Sequence, residues 1–516
     1  MSGAGLARGR RMRGADPDLP PDSGAIIEQG KSASTKRADF TNCGKADVNE
    51  ALIKPAKRKL ARVSFTVSRL IEFCNRRELV NQTGHDVSEW PRVALKELID
   101  NALDACEEAG IAPEIEVAVD GDRIIIADNG PGLPAGTIKS VLDYTVRVSS
   151  REAYCSPTRG SQGNALKTIL PMGYVLDEAR GDDACGVTVI EAHGLAHYIK
   201  FSVDHIRQEP KIGHTTKPSP VVRGTRITVT LPTPPEFPTG IIAYCKEKFL
   251  ELAAAYTWFN PHLSLRLTWN GEVKIDVKAS NPRWRKWLPS WPTSAHWYDK
   301  SHFRRYMAAR IAHRESITVR EFISEFDGMT STAKQKAVLL ETGASHVGLR
   351  DYFGRHKANG DNIAKLLASL QRHSKPVKAA QLGIIGKAHL YRMMEAAGGD
   401  PQTFKYVQRL GESAGVPRVV EFAFGIHRDG LAAADRAPGR KVLAGVNWSP
   451  GINNPFRQLG RSGESLDAIL AEARANTSQP VIAVLHLACP RVAYTDRGKS
   501  AIVVDGDARG GGDDED

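Results

Sequence analysis

The stretch "ALKELIDNALDACEEAG", Ala94 to Gly110, carries two interleaved patterns. Leu95, Leu98, Ala102 and Ala105 recur at helical spacing. Glu97, Asn101, Asp104 and Glu108 recur at i, i+4, i+7 and i+11 on another face. The pattern predicts an amphipathic helix, apolar side inward. A polar stripe is what any solvated helix face shows. Two details set this one apart. Asn101 is a weak helix former in a helix interior. The Asn-Ala-Leu-Asp run also sits mid-helix, where neither Asn nor Asp can cap. A carboxylate and an amide oxygen one turn apart could position a water and a hard metal ion.

The next pattern is "DRIIIADNGPGL". Arg123 to Ala127 predicts a short buried strand. Asp128 ends it, and Asn129-Gly130-Pro131-Gly132 predicts a turn. This is either an ordinary strand exit or a carboxylate aimed at a donor group, beside glycines that let a flat ligand approach the backbone. In "SSREAYCSPTRGSQGNALKTIL", Gly160 and Gly163 precede an apolar helix start at Ala165 to Leu170. A glycine-rich loop feeding a helix N-terminus presents free N–H groups and a positive dipole end to phosphate. A G-x-x-G alone is a common match.

Composition narrows the class. The chain has 516 residues, 41% hydrophobic and 25% charged, as in an ordinary soluble globular protein. No run approaches the roughly 20 apolar residues of a membrane span. Arg8, Arg10, Arg11 and Arg13 have no apolar core after them, so the N-terminus does not read as a secretory signal. Seven scattered cysteines without a C-x-x-C pair point to reduced thiols and a cytoplasmic protein, and away from a Cys-rich zinc site. A net charge of +11 allows a polyanionic partner. Between Arg283 and Arg314, Trp284, Trp287, Trp291, Trp297 and Tyr298 alternate with Arg283, Arg285, Lys286, Arg304, Arg305 and Arg310. That mixture suits nucleic acid, although Trp-rich stretches are more often core or domain-interface packing. Residues 1–62 read as a disordered basic arm ending near "KPAKRKLAR". "DARGGGDDED" reads as a flexible acidic tail over 506–516.

The order of the three signals, E-x-x-x-N on a helix, D-x-G-P-G after a strand and R-G-x-x-G before a helix, resembles the GHKL ATPases. These share the Bergerat nucleotide-binding fold of gyrase-type topoisomerases, MutL, large heat-shock chaperones and histidine kinases. Within that group the chain resembles the B subunits of DNA topoisomerase VI along nearly its whole ordered length. "SRLIEFCNRRELVNQTG" looks like that family's N-terminal strap. "NALDACEEAGI" is similar to its first motif, and "SSREAYCSPTRGSQG" to its phosphate-lid segment. "GTRITVTLP" looks like the strand that closes the sheet, and "FNPHLSLRL" like its Asn-Pro-His segment. "TVREFISEFDGMTSTAKQKAVLL" and "LGIIGKAHL" resemble a helix–two-turns–helix insertion. "VVEFAFGI", "GVNWSPGINNPF" and "LHLACPRVAYTDRGKSAI" look like a transducer domain.

The resemblance implies an α+β fold: a Bergerat α/β sandwich over 63–288 with its strap, a small helical domain over 289–395, and an α/β transducer of the ribosomal-protein-like type over 396–505. It implies ATP and Mg²⁺ as cofactors. Glu97 would be general base on the attacking water, and Asn101 the Mg²⁺ ligand beside phosphate and water oxygens. Asp104 would stand behind them or be structural. Asp128 would accept from the adenine amino group, with Gly130 and Gly132 shaping the base pocket. Ser150 and Arg151 match lid positions near the phosphates, although the family usually has Lys at the second. Gly160, Ser161, Gln162, Gly163, Asn164, Ala165 and Leu166 would wrap the triphosphate. A further glycine is usual at Ala165, so a stiffer lid and slower turnover are expected. Lys499 matches the transducer lysine that reaches the γ-phosphate.

The expected function is an ATP-hydrolysing subunit that forms an ATP-dependent homodimer on DNA, with no membrane association. The chain has no recognisable acidic metal cluster with a nucleophilic tyrosine, so DNA cleavage would need a partner similar to the A subunit of topoisomerase VI. The chain ends about seventeen residues after Lys499, where the family usually continues into a partner-binding helix. The alternative expectation is therefore a stand-alone GHKL clamp or DNA-remodelling ATPase. A histidine kinase fits poorly, for want of a membrane span and an upstream phosphoacceptor helix.

Overall fold

The computed structural model describes residues 74–144, 154–159, 165–178, 186–204, 209–428, 439–457, 465–495 and 501–502. The basic arm, the strap before Cys74 and the acidic tail lie outside them. All the described residues belong to one compact unit.

The first layer is an eight-stranded mixed sheet. Its strands are β1 (Glu114–Asp120), β2 (Arg123–Asp128), β3 (Val187–Ala192), β4 (Leu195–Asp204), β5 (Glu209–Pro218), β6 (Thr225–Thr230), β7 (Ser264–Trp269) and β8 (Glu272–Val277). Their order is β5-β4-β3-β6-β2-β1-β7-β8. Every neighbouring pair is antiparallel except β1 with β7. β6, expected as a closing strand, is interior and joins β3 to β2. Alternation decides which face is covered. Ile115, Val117 and Val119 of β1, Ile124 and Ile126 of β2 and Leu265 and Leu267 of β7 are buried, while their neighbours are more exposed.

Helices cover that buried face. They are α1 (Arg76–Thr83), α2 (Trp90–Glu108), α3 (Ala135–Leu142), α4 (Ala165–Ile169), α5 (Met172–Leu176), α6 (Ile241–Tyr244) and α7 (Lys246–Phe259). The predicted amphipathic helix is α2. It opens with Pro91 in the first turn, where a missing N–H costs nothing. Leu95, Leu98, Ile99, Ala102 and Leu103 enter the sheet core with Phe249, Ala253 and Tyr256 of α7.

A helical segment follows, with α8 (Lys300–His313), α9 (Val319–Ile323), α10 (Thr332–Thr342), α11 (Leu349–Phe353), α12 (Gly360–His373) and α13 (Lys387–Ala396). Its starts are written in the sequence. Asp299 caps α8, Thr318 and Glu321 form a capping box on α9, and Asn359 caps α12. Phe303, Tyr306, Phe322 and Phe326 fill its core. The tryptophan stretch divides here. Trp287, Trp297 and Tyr298 are buried in this core, and Lys286 is buried too. Arg283, Arg285, Arg304 and Arg305 are exposed.

The third layer is a five-stranded sheet of β9 (Lys405–Ser413), β10 (Val416–Ile426), β11 (Lys441–Val446), β12 (Ser449–Pro450) and β13 (Val481–Ala488), in the order β12-β11-β13-β10-β9. α14 (Leu466–Glu472) links the parallel pair β11 and β13. The chain is thus α+β as expected. No helix among the described residues is long and apolar enough to cross a membrane.

Candidate functional site

The polar residues of α2 divide into two rows. Glu97 is half-buried and Asn101 is exposed. Neither makes a side-chain hydrogen bond or salt bridge among the described residues. Asp100, Asp104 and Glu107 face the other way and are buried. A buried carboxylate must find partners, and these do.

Arg159 supplies most of them. Its guanidinium is buried and grips Glu107 with two arms, Nη1 donating to Oε2 at 2.7 Å and Nη2 to Oε1 at 2.6 Å. Nη1 also reaches Asp104 at 2.8 Å, and Nη2 donates to the Asn260 amide oxygen at 2.6 Å. Lys286 Nζ lies 3.0 Å from Glu107, and His262 Nε2 lies 2.9 Å from it. Burial would push the Glu107 carboxyl up, but the Arg159 and Lys286 charges hold it well below the usual range. Burial depresses His262, which stands neutral with Nε2–H donating to Glu107. Asp104, expected behind Glu97 and Asn101 or as a structural residue, is buried and paired with Arg159.

A second buried group ties α2 to the five-stranded sheet. Lys96 Nζ donates to Asp100 at 2.7 Å and to Ser449 Oγ at 2.5 Å. Ser449 Oγ donates to Asp100 at 2.8 Å, and Tyr256 OH donates to Asp100 at 2.9 Å. Burial opposes the charge on Asp100, yet Lys96 and Arg159 hold its carboxyl below the ordinary value. Ser449 follows a turn in which Asn447 and Trp448 both have positive φ, 50° and 63°. Asn tolerates that region; a buried Trp there is a strained residue held by its surroundings. The Asn447 amide donates to the carbonyl of Thr158 at 3.2 Å, and Asn260 donates to the carbonyl of Trp448 at 2.9 Å. The turn therefore touches the end of α7 and Thr158, next to Arg159.

Asp128 lies at the end of β2, as predicted. Its Oδ1 accepts from the backbone N–H of Gly130 at 2.8 Å and of Thr225 at 3.3 Å. Burial raises its pKa, and these two bonds, with a third from the Thr225 side chain, work against the rise. Gly132 has φ +87°, and a Cβ there would sit 2.9 Å from His193 Nε2. Gly224 has φ +72°, and a Cβ would lie 1.8 Å from the Asp128 carbonyl oxygen. Only glycine fits at either place. Asn129 clips the turn to the α2–β1 loop, accepting from Glu114 N at 3.0 Å and donating to the Ala112 carbonyl at 3.1 Å.

Ala165 and Leu166 begin α4. Ser150, Arg151, Gly160 to Asn164 and Lys499 lie outside the described residues. Sequence reasoning missed the partners of Arg159, the role of Gly224 and the Lys96–Asp100–Ser449 group. Arg159 was visible within Thr-Arg-Gly, but its partners lie 52 to 101 positions away.

The chain is similar to the B subunits of DNA topoisomerase VI. The B subunit of type 2 DNA topoisomerase 6 from Archaeoglobus fulgidus is 23% identical over 423 residues, 79% of this chain and 66% of that protein. Its namesake from Pyrococcus furiosus is 27% identical over 315 residues, 55% of this chain and 50% of its own. The one from Natronomonas pharaonis is 37% identical over 128 residues, 23% of this chain and 15% of its own. The chain thus spans about two thirds or less of these relatives' length. No family model matches it.

Proposed function

We propose that the chain binds ATP with Mg²⁺ and hydrolyses it as the ATPase subunit of a type IIB-like topoisomerase. The observation that carries this reading is the contrast on α2. Glu97 and Asn101, one turn apart, have no side-chain partners among the described residues, while every buried acid beside them is paired. Groups held open on a rigid element are what a ligand site needs.

Glu97 takes the proton of the attacking water. Among the described residues no group of three His, Cys, Asp or Glu could hold a metal ion. The fit is therefore to Mg²⁺ carried in on phosphate and water oxygens, with Asn101 as its one amide ligand from this chain. Bound there, Mg²⁺ would neutralise phosphate charge. Asp128, held by the backbone amides of Gly130 and Thr225 and by the Thr225 side chain, accepts from the adenine amino group. Gly130 and Gly132 bring the backbone close to the base. Ser150, Arg151 and the 160–166 segment wrap the phosphates, with Ala165 stiffening the lid. Lys499 reports the γ-phosphate to the five-stranded layer.

The similarity to the topoisomerase 6 proteins supports a DNA substrate and a separate partner subunit; in this reading the partner, related to the A subunit, cleaves the DNA, and the chain forms an ATP-dependent homodimer. The decisive experiment is calorimetry of ATP with and without Mg²⁺, joined to turnover and to light scattering with a non-hydrolysable analogue. Micromolar binding, slow hydrolysis and a doubled mass are expected. No nucleotide binding would overturn the reading; binding and turnover without DNA-dependent topology change would favour a stand-alone clamp.

A further inference from the structure

We propose a second binding site, for a single nucleotide unit, in the cavity at the C-terminal end of α2. The proposal is independent of the ATP reading. The cavity holds about 240 Å³. That is below the ~300–1,000 Å³ of common small-molecule sites, so it suits one flat ring system and not a whole cofactor.

Its chemistry comes in three zones. The floor is polar and belongs to the buried cluster: Glu107, Lys286 and His262 all line the cavity. Glu107 is already held by Arg159, and the atom left open is His262 Nδ1, buried with no hydrogen-bond partner among the described residues. The walls include the indoles of Trp284 and Trp291. Trp291 is 41% exposed, whereas Trp90, Trp258, Trp269, Trp287, Trp297 and Trp448 are buried. The rim carries Arg283 and Arg285, both exposed and neither with a carboxylate partner among the described residues.

These zones select a class of ligand. An apolar ring would leave the floor unanswered. A bare phosphate would leave the indoles unanswered. A nucleotide answers all three. Its base offers a π-face to an indole. Its edge offers donors and acceptors to the floor, and its phosphate suits the planar guanidinium fork. The source is either a free mononucleotide or one residue turned out of a single strand.

The test uses the full chain with a saturating non-hydrolysable ATP analogue and Mg²⁺ present, so that any nucleotide pocket of the first kind is filled. Thymidine 5′-monophosphate is titrated by calorimetry, and a labelled twelve-residue oligothymidine strand by anisotropy. Trp291→Ala should weaken binding roughly tenfold or more, the scale of one lost base stack. Trp291→Phe should restore most of it. Arg283→Glu with Arg285→Glu should weaken it at least as much, and the charge-matched Arg304→Glu with Arg305→Glu on α8 should weaken it less. Both probes lost together in Trp291→Ala identifies a free-nucleotide site. Strand binding alone, lost in the same variant, identifies a turned-out base. Either result supports the proposal. It is overturned if neither probe binds, if Trp291→Ala binds as wild type does, or if the α8 pair weakens binding as much as the rim pair.

Discussion

Two rows of polar residues share α2 and differ in everything but composition. Glu97 and Asn101 stand open, without side-chain partners among the described residues. Asp100, Asp104 and Glu107 are buried and held by Lys96, Arg159, Lys286, Tyr256 and Ser449. A carboxylate with partners satisfied inside the protein has no free lone pair for a substrate. One without partners is available for chemistry. The inner row instead fixes the helix to its neighbours, so that the outer row is presented rigidly.

The sharpest way to break this contrast is to neutralise one acid from each row. Glu97→Gln should lower ATP turnover about 10²–10⁴-fold, the usual worth of a general base, while leaving ATP affinity and thermal stability near wild type. Glu107→Gln should do the reverse, lowering the melting temperature first. Equal loss of turnover in both variants, with stability intact, would erase the distinction between the rows.

Arg159→Met comes next. It takes from buried Glu107 its two-armed partner and leaves Lys286 and neutral His262 beside it, and should cost about 3–5 kcal/mol in denaturant unfolding. The pH dependence sharpens this. Glu107 and Asp100 have carboxyls lowered in the folded state. Each contributes stability that is present above the unfolded carboxylate range near pH 4 and is lost as pH falls through the lowered folded value. Wild type should therefore lose stability steeply below about pH 4. Arg159→Met should flatten that acid limb, because the charge that lowers Glu107 has gone. An unchanged limb would mean that Arg159 is not what holds Glu107 ionised.

How far the sequence led follows from what periodicity encodes. It gave α2 its apolar face and β2 its end at Asp128, because both are local. It put Asp104 in one stripe with Glu97 and Asn101, because spacing reports a direction around the helix and not what covers that direction. What covers Asp104 is Arg159, brought from 55 positions away. The 283–314 stretch stayed open between nucleic-acid contact and packing for the same reason. Tryptophans in one run were divided between a sealed core and an open rim by elements far along the chain, such as α12 and β10.

Asp128→Asn should have a smaller effect, confined to the nucleotide. The two backbone donors can still find the amide oxygen, so the fold should hold. If Oδ2 faces an adenine amino group, the new NH₂ meets a donor with a donor, at a cost of about 1–3 kcal/mol in ATP affinity. Guanosine and adenosine triphosphates compared by calorimetry on the variant would show lost discrimination. Unchanged ATP affinity would remove Asp128 from the base pocket and leave it as the clasp of the β2 turn.

The smallest expected effect is that of Ser449→Ala, and it bears on how the two sheets are joined. The hydroxyl donates to Asp100 and accepts from Lys96. Its loss leaves Asp100 with Lys96 at 2.7 Å and Tyr256 at 2.9 Å, so no buried charge is abandoned. The cost should stay near 1 kcal/mol, the net worth of an ordinary hydrogen bond. Its location gives it a second readout. Ser449 adjoins the strained Asn447–Trp448 turn, which reaches the Thr158 carbonyl beside Arg159. If that turn transmits between the five-stranded sheet and α2, Ser449→Ala should lower turnover more than it lowers stability, with ATP affinity unchanged. A double-mutant cycle with Asn447→Ala separates the outcomes. Coupling of both changes in turnover marks the turn as a transmitter, whereas simple additivity leaves it as a structural staple.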